Sequence, residues 1–203
     1  ESQCVKFDAR QEQTLYLPNS SDMFESGPMT IYVKYKPSLL SQQLGNNQQI
    51  LGHYNWEIWQ GLNSIRFQVG RMNDANGTFY AIIYPINKDF FEAEHELVAI
   101  YNPSDNGYIE FYVDNDFAGR KSITNDAIYK DYNGNRDLTL GWTPHGYQTN
   151  PYYDGCFYEV KINNKAIKQE GKTSTIFIVQ DNKISIPIIG QGNITSVMAN
   201  VRK

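Results

Sequence analysis

The sequence predicts an all-β fold in which two antiparallel sheets stack as a β-sandwich. Residues 107–119 carry the clearest pattern, because Ile109, Phe111 and Val113 alternate with polar and tyrosine side chains. Such alternation gives a strand one apolar face and one wet face, as an antiparallel sandwich requires. The composition agrees, since 14% of the residues are aromatic, 20% are charged and glycine occurs 15 times, a balance that favours strands joined by turns.

The other strands are predicted from period-two alternation or from short runs of β-branched and aromatic residues. In chain order they are residues 5–9 (VKFDA), 29–37 (MTIYVKYKP), 50–59 (ILGHYNWEIW), 64–70 (SIRFQVG), 95–102 (HELVAIYN) and 154–162 (DGCFYEVKI). In the last of these, Tyr158, Val160 and Ile162 are expected on one face, with the residues between them on the other. The best helical candidate is the short segment 125–130, where Asp126 can cap one turn.

The order of these strands resembles the laminin-G/concanavalin-A-like jelly roll over roughly residues 5–166. The resemblance implies two stacked antiparallel sheets, often a Ca²⁺ ion at the rim, and frequent carbohydrate-binding or adhesion roles. We expect residues 1–170 to form one such domain. Residues 171–203 lie outside the resemblance and are expected to form a β-rich extension packed on the same domain, with short strands at residues 175–179, 183–189 and 194–201. A small appended sheet and a connection to a next domain are the alternatives.

Charge and hydropathy argue against two classes of partner. The net charge is −4 and the basic residues are scattered, so no stripe is available for a nucleic-acid backbone. No run approaches the roughly eighteen apolar residues that a membrane span requires. The chain begins at Glu1 without a methionine or signal peptide, which suggests a mature or excised piece of a larger extracellular protein or assembly.

The two cysteines, Cys4 and Cys156, lie in the first strand and the last motif strand. In the resembled fold these strands are neighbours, which implies that the two sulfurs can form a disulfide bond. A pair of buried free thiols is the alternative. A disulfide implies an oxidising compartment, so we expect an extracellular location or one on a cell or virion surface.

One candidate binding surface lies on two successive strands. Alternation sets Glu57 and Trp59 on the face opposite the core, and it places Arg66 and Gln68 outside on the next strand. Together they are expected to form an exposed platform for a sugar, because an indole covers the C–H face of a pyranose while polar side chains bind its hydroxyls. The alternative is that Trp59 lies under a neighbouring loop.

A second candidate surface is the loop of residues 141–155, which is rich in aromatic and amide side chains. Long ordered loops of this kind are usually functional or packed on themselves. Trp142 continues the alternation of Leu138 and Leu140 and is expected in the core. The expected ligand contacts are His145, Tyr147, Tyr152 and Tyr153. The alternative is that these rings only seal the end of the sandwich.

Residues 131–137 form a candidate Ca²⁺ site, because alternate positions carry side-chain oxygen, which this hard ion prefers. The candidate ligands are Asp131, Asn133, Asn135 and Asp137. An Asn-Gly hairpin explains the same residues without a metal.

The leading hypothesis is therefore a non-catalytic extracellular carbohydrate-binding (lectin-like) or adhesion domain, whose partner is a glycan or a protein surface. A structural protein–protein interaction module of a larger assembly is the second hypothesis. A glycoside hydrolase is the third, since Glu92, Glu94 and Glu96 share a face if their segment is extended, and glycosidases need paired carboxylates. That segment leads into an apolar strand, so solvated charges explain it better.

Overall fold

The computed structural model of the chain describes residues 4–17, 27–44, 48–53, 56–70, 80–103, 106–123, 138–142, 152–163 and 165–166, together with the backbone of 178–180, 183–189 and 194–202. The strands are β1 (Val5–Phe7), β2 (Thr14–Leu17), β3 (Met29–Pro37), β4 (Gln48–His53), β5 (Trp56–Gln60), β6 (Ser64–Val69), β7 (Tyr80–Pro85), β8 (His95–Asn102), β9 (Tyr108–Val113), β10 (Asp116–Ser122), β11 (Leu138–Leu140), β12 (Gly155–Asn163), β13 (Ile178–Gln180), β14 (Lys183–Ile189) and β15 (Ile194–Arg202). A single turn-and-a-half of α-helix, α1 (Leu39–Leu44), and two 3₁₀ turns complete the described elements.

These strands form two stacked layers. Sheet A has the order β10-β9-β8-β3-β12, and β1 also pairs with β12; sheet B has the order β2-β11-β4-β5-β6-β7. All pairs within these two groups are antiparallel. The predicted all-β, antiparallel two-sheet sandwich is therefore confirmed.

The tail strands join the two sheets by backbone pairing. β14 makes a short parallel contact with β12 of sheet A, and β15 pairs with β2 of sheet B. β13 and β14 pair with each other, as do β14 and β15. The predicted strands at 183–189 and 194–201 are thus found within a residue of their expected ends, while the domain boundary near residue 170 stays a prediction.

The core lies between the inner faces of the sheets. Along β3 the residues alternate strictly between buried and half-buried, with Ile31, Val33 and Tyr35 facing inward. The two layers meet directly, as the rings of Phe67 on β6 and Phe111 on β9 lie 6.0 Å apart. Each side chain of this size stabilises the fold by about 1.5–3 kcal/mol when fully buried, so the alternation fixes which face of every strand turns inward.

Several strand predictions needed correction. Residues 50–59 are not one strand but parts of two, β4 and β5, which pair as a hairpin. β2 and β7 were not predicted; β7 ends at Pro85, and a proline is tolerated there because β7 is the edge strand of sheet B. The helix α1 was also not predicted, and the helical candidate at 125–130 lies outside the described residues.

The expected alternation in β12 is wrong on one side of a β-bulge. The register against β3 shifts between Phe157 and Glu159, so Phe157 and Val160 both face the core although they are three residues apart. An extra residue in a bulge reverses the alternation beyond it. Tyr158 is consequently half-buried on the outer face, where the Lys34 ammonium lies 5.9 Å from the centre of its ring.

Two tie points hold the N-terminal segment against β12. The disulfide Cys4–Cys156 is present, with the two Cα atoms 5.6 Å apart, so the predicted pairing of the two cysteines is confirmed. Asp154, expected only to shape a turn, is buried and accepts hydrogen bonds from the Ala9 backbone N–H (3.0 Å) and from the Ser38 hydroxyl. Its role is to join β1, β3 and β12 at one end of the sandwich.

Removing the disulfide should destabilise the protein strongly, because the bond closes a loop with a sequence separation of 152 residues. We expect the double variant Cys4→Ser/Cys156→Ser to lose about 4–5 kcal/mol of unfolding free energy at most, through the greater entropy of its unfolded chain. Urea unfolding of the variant and of the oxidised wild type measures the difference. Equal midpoints at equal slopes contradict this expectation.

The buried tyrosines predict a loss of stability in alkali. Burial raises the pKa of Tyr35 and Tyr153 well above the ordinary 10.0, because the phenolate is not solvated in the core. Their contribution to stability is complete below about pH 10 and is lost as the pH rises beyond it, since the unfolded chain then ionises first. Phenolate absorbance from these residues should appear together with the loss of near-ultraviolet circular dichroism. Reversible ionisation of all 15 tyrosines with an unchanged dichroism spectrum contradicts this.

Candidate ligand-binding face

The platform predicted from sequence is assembled on the outer face of sheet B. Glu57 pairs across the strands with Gln68, and Trp59 pairs with Arg66, so all four side chains share the face that points away from sheet A. Side chains directly opposite each other on one face lie about 5 Å apart, close enough to interact. The expectation that these four side chains share one face is therefore confirmed, while their role as ligand contacts stays a prediction.

Further residues of the same face come from β4 and β11. Gln49 lies opposite Trp59, Gly52 lies opposite Glu57, and Thr139 lies opposite Gly52 on the far side. They were not identified from the sequence, because β4 and β5 were predicted as one strand and their pairing was hidden. We call the following set the sheet B polar face: Gln49, Glu57, Trp59, Arg66, Gln68 and Thr139.

Glu57 organises this face through its carboxylate. Its Oε2 atom accepts hydrogen bonds from the indole Nε1 of Trp59 at 2.8 Å and from Nε2 of Gln68 at 2.6 Å. The Arg66 guanidinium lies 5.8 Å from the centre of the Trp59 ring. Burial lowers the pKa of Arg66, and the nearby carboxylate of Glu57 opposes that shift. The indole and the Gln68 amide are thus held in fixed orientations.

The expected exposure of this platform is wrong. Glu57 and Trp59 are each 6% exposed and Gln68 is 9% exposed, while Arg66 is half-buried. These side chains stand on central strands, and same-face neighbours on the adjacent strands flank them and cover part of their surface. The polar face is therefore a largely enclosed cluster instead of an open surface.

Several polar atoms of this cluster are buried, and three that bear on a ligand have no hydrogen-bond partner among the described residues. They are Oε1 of Gln49, Oε1 of Gln68 and Nε of Arg66. Buried polar groups almost always have partners, and leaving one unmatched typically destabilises a protein by about 1–3 kcal/mol. Within the described part of the chain, these three atoms leave two acceptors and one donor unmatched next to an indole ring.

The structure separates the predicted contacts of the 141–155 loop. Tyr153 is fully buried, and its ring packs 4.7 Å from Phe157 and 6.0 Å from Tyr35, so its assignment as a ligand contact is wrong. A hydrogen bond from the Tyr153 backbone N–H to the Gly141 carbonyl (2.9 Å) turns the chain so that the ring enters the core. His145 and Tyr147, two further predicted contacts, lie outside the described residues.

Tyr152 remains available as a candidate, although it is half-buried. Its ring stacks on Trp142, with centres 6.3 Å apart and planes 21° apart. Trp142 was expected in the core, but it is also half-buried. The reason is that Gly141 adopts a left-handed φ of 80° and ends the alternation of β11. The two rings form a small aromatic pair at the end of the sandwich.

The candidate calcium ligands Asp131, Asn133, Asn135 and Asp137 lie outside the described residues, so the Ca²⁺ site stays a prediction. Within the described ranges, no group of three or more His, Cys, Asp or Glu side chains is placed to hold a metal ion. No helix in the same ranges is long and apolar enough to cross a membrane.

The acidic segment before β8 lies on sheet A, away from the polar face. Glu92 is in a left-handed turn (φ 68°) and Glu94 forms an ion pair with Lys34 at 3.1 Å. Glu92 in turn lies 3.8 Å from the Lys36 ammonium. These are exposed ion pairs of the kind that solvated surfaces carry, which agrees with the interpretation preferred from sequence.

No protein-family model matches the chain, and no curated protein matches it in sequence. Several solved structures are nevertheless similar in three dimensions. A CBM40 domain of the Ruminococcus gnavus IT-sialidase, bound to α2,3-sialyllactose, has a TM-score of 0.63 at 10% identity over 82% of this chain and 92% of that one. Domains LG4-5 of the mouse laminin α1 chain have a TM-score of 0.56 at 16% identity over 81% of this chain and 44% of that one. The fold is a concanavalin-A-like jelly roll.

A third similar structure is the binding domain of Paraclostridial Mosquitocidal Protein 1, with a TM-score of 0.59 at 13% identity over 81% of this chain and 41% of that one. The resemblance drawn from strand order is therefore confirmed. At identities this low, the structural similarity shows the jelly-roll fold alone. A ligand of this chain depends on the side chains that the fold carries.

The two adjacent tyrosines of the jelly roll should respond differently to truncation. Tyr153→Ala removes a fully buried ring and should lower the unfolding free energy by about 3–5 kcal/mol. Tyr152→Ala removes a half-buried ring from a surface pair and should lower it by less than about half of that. Urea unfolding of both variants measures the difference, and equal losses contradict the placement of the two rings.

Proposed function

We propose that this jelly roll is a non-catalytic carbohydrate-binding module whose glycan site is the sheet B polar face. The observation that carries the proposal is the set of buried, unmatched polar atoms on that face, at Gln49, Arg66 and Gln68. Similar jelly rolls support it, since the Ruminococcus gnavus domain was solved with a bound oligosaccharide.

The chemistry of the face suits sugar hydroxyls. Each hydroxyl donates one hydrogen bond and accepts others, so it can donate to an amide oxygen of Gln49 or Gln68 and accept from Nε of Arg66. The Trp59 indole supplies an apolar surface for the C–H face of a ring. Because Gln68 already donates from Nε2 to Glu57, its amide is held in one orientation, and its Oε1 is left without a partner among the described residues. This preorganisation favours binding by limiting the entropy lost.

The half-buried Arg66 marks the side from which a ligand reaches the enclosed cluster. Across the strands, Arg66 lies opposite Ile83 on the edge strand β7, and Ile83 is 60% exposed. The guanidinium and the isoleucine thus form a solvent-facing rim beside the buried indole. Tyr152, with its partner Trp142, is proposed as a more peripheral contact.

The same face argues for binding without catalysis. Among the described residues, Glu57 is the single carboxylate on the outer face of sheet B, whereas glycoside hydrolysis needs a pair of them. Glu94, the other catalytic candidate, is exposed on sheet A and paired with Lys34. The disulfide supports an extracellular or surface location, where such a module is attached to a larger protein.

A protein-interaction module is the second candidate, and exposed apolar side chains favour it. Ile83 on β7 and Phe117 on β10 are 60% and 58% exposed, and both strands are sheet edges. Light scattering that shows association, together with a blank glycan array, favours this function over glycan binding.

The glycan proposal is tested by Arg66→Ala, with Arg120→Ala as the matched control. Arg120 also lies over an aromatic ring, 3.7 Å from the centre of Tyr108, and beside a glutamate, but on sheet A. We expect Arg66→Ala to weaken glycan binding by about tenfold or more, since a hydrogen bond from a charged group contributes about 1.5–3 kcal/mol. Glycan-array binding and calorimetric titration of the best array ligand measure the effect.

The control variant should bind as the wild type does, and both variants should keep thermal midpoints close to each other. Retained binding by Arg66→Ala, or an equal loss in Arg120→Ala, contradicts the location of the site.

A further inference from the structure

We propose that the sheet B polar face selects a neutral, hydroxyl-rich glycan over one that carries a carboxylate or sulfate group. The inference rests on the proposed glycan site and adds the ligand class to it. It follows from the charges and the unmatched atoms of the described residues of the face.

The described charges of the face cancel. Glu57 is its one anion and Arg66 is its one cation, and the two are close enough for the carboxylate to act on the guanidinium. An anionic sugar bound at Arg66 competes with a carboxylate that is already present. Because Glu57 is enclosed, water does little to screen its repulsion of a second anion.

The unmatched atoms also favour donors over anions. Two of them, Oε1 of Gln49 and Oε1 of Gln68, are acceptors, whereas Arg66 Nε is the one donor. A further potential donor, the Thr139 hydroxyl, already donates to the Gly52 carbonyl at 3.3 Å. A carboxylate or sulfate oxygen brings no hydrogen to an amide oxygen and repels it, while a sugar hydroxyl donates to it.

This selectivity separates the chain from a structural relative. The similar Ruminococcus gnavus domain was solved with α2,3-sialyllactose, an acidic oligosaccharide. The shared jelly roll fixes the position of the strands, but the side chains on the outer face decide which ligand charge is tolerated. Here those side chains combine a bonded carboxylate with two amide oxygens.

The direct test uses the wild-type protein on an array of neutral oligosaccharides, each printed beside its sialylated and sulfated counterparts, with lactose and 3′-sialyllactose as one pair. We expect the strongest signals on neutral members, with a preference of about tenfold or more over the acidic counterpart. We also expect the affinity for the best neutral ligand to be nearly independent of NaCl concentration. Stronger binding to acidic members overturns the selectivity while leaving the proposed glycan function in place. A blank array overturns both.

A charge-removing variant tests the cause. Glu57→Gln leaves Arg66 without an opposing anion, so binding of 3′-sialyllactose should increase by about tenfold at low salt and decrease again as NaCl is added. Glu110→Gln is the matched control, because Glu110 is also a buried, outer-face glutamate beside an arginine, but on sheet A. No gain in Glu57→Gln, or an equal gain in Glu110→Gln, overturns the proposal. If a thermal melt shows that Glu57→Gln does not fold, the wild-type salt dependence decides: a neutral-ligand affinity that falls steeply with NaCl overturns it.

Discussion

Burial of every second side chain between sheets A and B is the constraint on which the other features depend. Once Trp56 and Ile58 are enclosed in the core, Glu57 and Trp59 have to stand on the opposite face of β5. A shift of one residue in register would bring Glu57 into the apolar core without its partners. Burying an unpaired carboxylate in this way is strongly unfavourable, so the register is fixed. The position of the polar face is thus a consequence of core packing.

The two sheets carry parallel arrangements that differ in one decisive respect. On sheet A, the buried Glu110 accepts from the Tyr112 hydroxyl at 3.0 Å and from Arg120 at 3.2 Å, so each carboxylate oxygen has a partner. On sheet B, the carboxylate of Glu57 orients the Gln68 amide and the Trp59 indole. The Gln68 oxygen and nearby polar atoms of the face have no hydrogen-bond partner among the described residues. The first arrangement completes its own hydrogen bonds, whereas in the second the described residues leave polar atoms unmatched, which is the basis of the proposed glycan site.

Sequence periodicity could predict what depends on the strand itself. It located β3 and β8 to the residue, and it placed Glu57 and Arg66 on one face, because side-chain direction follows from the pleat. It could not predict the exposure of Trp59, which depends on neighbours from other strands. Nor could it predict the bulge near Tyr158. A bulge is a change in how the strand pairs with β3, and the residue types of the segment do not reveal it.

Stability and the proposed glycan binding belong to different parts of the jelly roll. The disulfide, Asp154 and the enclosed Tyr153 ring fasten one end of the sandwich through a covalent bond, hydrogen bonds and ring packing, while the Tyr153 hydroxyl has no hydrogen-bond partner among the described residues. On the sheet B polar face, the unmatched amide oxygens of Gln49 and Gln68 destabilise the folded state. A ligand that satisfies them restores this free energy on binding, and by linkage it stabilises the folded state.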